Sequence, residues 1–144
     1  MLNPSTADAT ADDPTIRRCV NYAKREGASG LIVVNLFAFR ATDPKELSLM
    51  TDLGIDIVGP QNAENLGMAL LTAQLYRRRV ICAWGANAHA VKPGAELVRR
   101  AKDFGVELAC LGVSKAWAPK HPLYLNTTAP LLPYPHPMID NRHL

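Results

Sequence analysis

A chain of 144 residues with 48% hydrophobic content has the length for one domain with a buried core and the composition of a soluble globular protein. A formal charge of +3 permits a nucleic-acid partner without demanding one, and only Arg77-Arg78-Arg79 forms a tight basic run, read as a solvated helix end or a phosphate contact. There is no signal peptide, no stretch of membrane-spanning length and no C-x-x-C pair. A cytoplasmic protein with no membrane partner is therefore expected, with Cys19, Cys82 and Cys110 as free thiols.

The chain opens with Met1-Leu2 running into Asn3-Pro4-Ser5-Thr6. Two apolar residues fall short of the roughly five of an ordinary strand. The first strand is thus expected to be truncated, which would leave a central position of the sheet empty. Asp12-Asp13-Pro14 reads as a helix start, and Ile16, Cys19, Val20 and Ala23 mark one apolar face of a helix that Gly27 ends. Leu31 to Leu36 is apolar with Asn35 as its exception, the pattern of a strand buried on both faces.

Asp43-Pro44-Lys45-Glu46 is a capping-box pattern opening a short helix. Gly54 to Gly59 reads as a loop. Asn62 to about Tyr76 is expected to be helical, with Leu66, Ala69, Leu70 and Ala73 on one face. Val80 to Ala83 is the next strand. A helix from Ala90 to Phe104 follows, with Leu97, Val98 and Ala101 inward and Gly105 as terminator, and Val106 to Leu111 is the last strand. The order predicts an α/β fold: a three-layer α/β/α sandwich around a short, mostly parallel sheet of about four strands. One domain over 1–132 and a Pro/His-rich tail over 133–144 complete the expected organisation.

Each apolar run ends in a polar, aromatic or Gly/Pro cluster, and parallel strands would bring these clusters to one sheet edge, where ligands bind in open α/β folds. Asn3, held extended by Pro4, can orient a water or a base edge, or form an Asx-type turn. Asn35 is costly if buried unpaired, and its amide can both donate and accept, which suits the edge of a base. Phe37 and Phe39 are core residues or a stacking platform. Arg40 can meet a phosphate or pair with Asp43. His121 titrates near neutrality and can stabilise an anion or move a proton, and Lys115 and Lys120 flank it. The chain has no P-loop, G-x-G-x-x-G, H-E-x-x-H or nucleophile elbow, which counts against nucleoside triphosphatases, Rossmann oxidoreductases and zinc hydrolases. His89, His136 and His143 lack metal-ligand spacing, and no metal or cofactor is expected.

Four segments, Leu2-Asn3-Pro4-Ser5-Thr6-Ala7-Asp8, Val34-Asn35-Leu36-Phe37-Ala38-Phe39-Arg40-Ala41-Thr42, Cys82-Ala83-Trp84-Gly85 and His121-Pro122-Leu123-Tyr124-Leu125, together resemble the bacterial and phage family called domain of unknown function 1643. Members of that family usually carry sequence upstream of the Met-Leu-Asn-Pro match. The layout is also similar, more distantly, to the uracil-DNA glycosylase superfamily, above all its mismatch-specific branch with Gly-x-Asn-Pro-Gly after the first strand. That resemblance implies a glycosylase-like enzyme that cleaves the base–sugar bond of a modified or mismatched nucleotide in DNA. Asn3 would hold the water and His121 would stabilise the departing base. Asn35 and Phe37 would read and stack the base. Ser5, Lys115 and Lys120 would grip phosphates, and Arg40, Trp84, Gly85 and Tyr124 would complete the binding site. In this chain Leu2 and Ser5 replace glycines, no Asp stands at the Asn3 position, and Leu-Tyr follows the His-Pro. Two other readings stay open: a non-catalytic nucleotide or nucleic-acid binding module on the same fold, and an unrelated small-molecule enzyme.

Overall fold

The computed structural model describes residues 1–6 and 13–135. Four α-helices and a three-stranded mixed sheet are present among them: α1 (Pro14–Arg25), α2 (Lys45–Asp52), α3 (Asn62–Leu75), β1 (Val80–Cys82), α4 (Val91–Asp103), β2 (Leu108–Cys110) and β3 (Leu132–Pro133). None of the helices is long and apolar enough to cross a membrane.

The helices begin where local chemistry allows. Asp13 caps α1 by accepting from the backbone N–H of Thr15 (2.7 Å) and Ile16 (3.3 Å), while Asp12 lies outside the described residues. The predicted capping box forms: Asp43 accepts from Lys45 N–H at 2.9 Å, and Glu46 reaches back to Asp43 N–H at 3.2 Å. Helix α4 follows a 3₁₀ turn at Ala88–Ala90 and ends before Gly105, whose φ of +64° is the left-handed conformation that glycine adopts without strain. The inward faces of α3 and α4 are as the spacing predicts: Leu70, Ala73, Leu97 and Ala101 are buried. On α1 the face is rotated, since Ile16 is exposed and Tyr22 is buried. Tyr22 takes the inner position because its hydroxyl can donate to the Asn126 carbonyl, at 2.7 Å.

The sheet differs from the predicted one. Strands β1 and β2 are parallel, Val80 beside Leu108 and Cys82 beside Cys110, but β3 runs antiparallel, with Leu132 beside Cys110. The tail therefore starts as an edge strand: Leu132–Pro133 pair with β2, and Tyr134 sets its ring edge-on against Trp84 at 5.6 Å. Residues 136–144 of that tail lie outside the described residues.

The strand expected over Leu31 to Leu36 is not a regular strand, and it is not buried on both faces: Ile32 is 68% exposed. The reason is pairing. Only Met1 and Leu2 run beside it, bonding Val34, Leu36 and Phe37 at 2.9–3.0 Å. Leu31, Ile32 and Val33 have no backbone hydrogen-bond partner among the described residues. One turn further on, Ala38 and Phe39 donate to the carbonyls of Val58 and Ile57.

The core gathers Leu2, Leu36, Phe37, Leu47 and Leu70 with Cys82, Trp84, Leu97 and Ala101. The three cysteines are free, with Cys82 and Cys110 buried, and burial pushes the Cys82 thiol up to about 12. Trp84 lies against Gly94 of α4, where an added Cβ would sit 2.9 Å from its Cζ2 atom. Glycine is required there for helix–sheet contact, so Gly94→Ala is expected to cost about 1–3 kcal/mol by overpacking. A lower urea midpoint at unchanged m-value would confirm it; wild-type stability would show that the indole can move aside.

Candidate functional site

The site is built by threading residues 1–5 along residues 34–41. Leu36 and Phe37 donate to the carbonyls of Met1 and Leu2, and Ala41 N–H donates to the Pro4 carbonyl. This sets the Asn3 side chain beside the turn that follows Phe39. Its Nδ2 donates to the carbonyls of Ala41 (2.9 Å) and Pro4 (3.0 Å). Both amide hydrogens are thus spent on backbone, and Oδ1 remains as an acceptor.

Asn35 has the opposite character. Its backbone carbonyl accepts from Asn62 Nδ2 at 3.1 Å, and the same nitrogen reaches the Leu36 carbonyl at 2.8 Å. The half-buried Asn35 side-chain amide, however, has no hydrogen-bond partner among the described residues. It lines a groove of about 480 Å³ between residues 32–38 and α3, together with Pro4, Phe37, Asn62, Asn65 and Met68. Phe37 forms its buried wall, at 3% exposure. Asn62 was read from the sequence only as a helix start. Its signal was a polar residue one turn ahead of the apolar face of α3, placed where a buried amide can satisfy two loop carbonyls.

His121 precedes a 3₁₀ turn at Pro122–Tyr124, and its Nδ1 accepts from Leu123 N–H at 3.4 Å. In the neutral ring Nε2 then carries the proton and is a donor. Burial holds its pKa below the ordinary histidine value; the terminal ammonium of Met1 lowers it further, and Asp13 opposes both. His121 packs beside Gly85, where an added Cβ would lie 3.7 Å from the histidine's Cβ, and Gly85 N–H is tied to the Pro119 carbonyl at 2.8 Å.

Ser5 links the halves. Its hydroxyl donates to Asp13 Oδ2 at 2.9 Å, and its carbonyl accepts from Arg40 Nε at 3.2 Å. Thr6 and Thr42 share a hydroxyl–hydroxyl bond of 2.5 Å on the same edge. Asp13, read from the sequence only as a cap, thus also accepts from Ser5. Desolvation raises its pKa, but the hydrogen bonds from Ser5, Thr15 and Ile16 together hold it below the ordinary aspartate value.

Not every predicted residue faces this edge. Trp84 is a core residue, 5% exposed and enclosed by α4 and Tyr134, so its indole offers no surface to a ligand. Tyr124 is 84% exposed, with its ring 6.2 Å from that of His121. Lys115 and Lys120 are exposed, the stem of Lys120 lying over Gly112. Arg40 donates from Nε to the Ser5 carbonyl. His89 sits apart from these residues and contacts Ser48 Oγ at 2.9 Å. Ala7 and Asp8 of the first motif, and His136 and His143, lie outside the described residues. Among the described residues no three His, Cys, Asp or Glu side chains gather as a metal site.

Among known families, the model described as a protein of unknown function (DUF1643) matches residues 1–123, which include every side chain placed on this edge. No curated protein and no solved structure matches the chain.

The His121 environment has a consequence for stability. A histidine whose pKa is lower when folded binds its proton more readily in the unfolded chain. Stability is therefore unaffected by this residue at alkaline pH and falls as pH drops below the unfolded value. His121→Gln is expected to flatten the stability profile between about pH 7 and pH 5 relative to wild type. Parallel profiles by urea titration would contradict that burial.

Proposed function

Starting from the domain of unknown function 1643 family, to which the chain belongs, we propose that it is a glycosylase-like enzyme that cleaves the base–sugar bond of a nucleotide in DNA. The observation that carries the reading is the Asn35 amide, half-buried, without a partner, in a groove walled by Phe37. An unpartnered amide beside an aromatic wall suits a planar ring that offers both donors and acceptors. The unpaired base would be flipped into this groove.

The remaining groups supply complementary capacity. Asn3 Oδ1 accepts a hydrogen from the attacking water. The C1′–N bond breaks with oxocarbenium character, and the electron pair leaves with the base. Neutral His121 donates from Nε2 to the base anion, and its lowered pKa keeps it neutral at physiological pH. The water oxygen then bonds C1′, and its proton is lost to solvent or to the base. Arg40, Lys115 and Lys120 would supply cations for the DNA phosphates. The more distant similarity to the uracil-DNA glycosylase superfamily agrees with these roles.

A second reading is a nucleotide or single-stranded DNA binding module on the same fold. The open rim of the groove favours it, since Asn65 and Met68 are solvent-exposed there. Both readings meet in one assay: oligonucleotides carrying uracil, thymine mismatches, hypoxanthine or modified cytosines are incubated with protein, then cleaved with alkali at abasic sites. We expect release from at least one substrate. Asn3→Ala and His121→Ala should lower it by about 10²-fold or more, and Asn35→Ala should abolish selection among bases. No release, with binding that weakens steeply as salt rises, would replace the enzyme by the binding module.

A further inference from the structure

An oxocarbenium-forming site needs negative charge near the sugar, and the residue that follows Asn3 is a proline rather than an acid. The fold supplies a carboxylate from elsewhere. Helix α1 packs its length against the 122–129 region: Arg18 Nη1 donates to the Leu125 carbonyl at 2.9 Å, Tyr22 to Asn126 at 2.7 Å, and Arg25 to Thr127 at 3.0 Å. That packing holds α1 against the turn that His121 opens. One oxygen of Asp13 holds the helix by accepting from Thr15 and Ile16 N–H. The other accepts from the Ser5 hydroxyl, two residues beyond Asn3.

We infer that Asp13 is the anionic positioning residue of this site: it fixes Ser5 through its second oxygen and sets a negative charge beside the segment that carries Asn3. The inference rests on the glycosylase reading for its chemistry, though not for its geometry. One carboxylate does two tasks with two oxygens. Oδ1 caps the helix, a task that a neutral Asn or Ser performs about as well. Oδ2 and the charge serve the site. With Ser5 Oγ–H committed to Asp13, the hydroxyl lone pairs are left to accept, and Ser5 is held at one rotamer beside Asn3. The charge favours positive character on a sugar bound along residues 3–5 and counters the Met1 ammonium that also acts on His121. The groups facing His121 are then Met1 and Asp13, with Tyr124 on its own turn and Lys120 preceding it.

The distinction between cap and charge makes the inference testable. Asp13→Asn and Asp13→Ser keep the cap and remove the charge, so both should fold with little change in Tm. In the base-release assay, kcat should fall about tenfold or more while KM stays within about twofold. Independently of any substrate, the His121 ring titration by NMR, assigned by its loss in His121→Gln, should move down in Asp13→Asn. Unchanged kcat in an active enzyme, or an unchanged His121 titration in a folded Asp13→Asn protein, would overturn the inference. If wild type releases no base yet the His121 titration moves, the reaction class fails while the role of Asp13 stands.

Discussion

The site depends on a ladder of backbone hydrogen bonds between residues 1–4 and residues 34–41. Met1 N to Val34, Leu36 to Met1, Phe37 to Leu2 and Ala41 to Pro4 lock two segments that are not regular strands into one register. Asn3 adds its own amide to the Ala41 carbonyl. Asn3, Ser5 and Asn35 are placed by that register. A shift of one residue would turn Asn3 and Asn35 to opposite faces and separate Ser5 from Asp13.

Around this ladder the structure divides labour by saturating hydrogen bonds selectively. Asn62 Nδ2 holds the Asn35 and Leu36 carbonyls, and the Asn35 side chain faces the groove. Asn3 spends its donors and keeps its acceptor. His121 spends Nδ1 and keeps Nε2. Among the described residues no buried side-chain polar atom is left without a partner. The unspent groups therefore lie where a ligand can reach them, and their desolvation on binding would be repaid by the ligand's own donors and acceptors.

The helices and their caps were legible because they rest on local chemistry. Asp-Pro starts, Glu three residues after a cap and apolar repeats at helical spacing act within one or two turns. The misreadings all involve partners distant in sequence. Leu31 to Val33 look like a buried strand, but a strand exists only where a neighbour pairs with it, and these residues have none among the described residues. Trp84 looked like a ligand contact until the packing of Gly94 and Tyr134 enclosed it. Asp13 was visible as a cap, while its second oxygen and its bond to Ser5 were not.

The sequence by itself therefore determined the α/β class, the helix boundaries within a few residues, the free thiols and the family, because these follow from periodicity, capping and motif. Tertiary structure decided which apolar segments pair, that the final strand is antiparallel, and which oxygen or nitrogen of each polar side chain is left for a ligand. The reason is physical: periodicity reports which side of an element is apolar, whereas a hydrogen bond is consumed by whatever the folded chain brings to it.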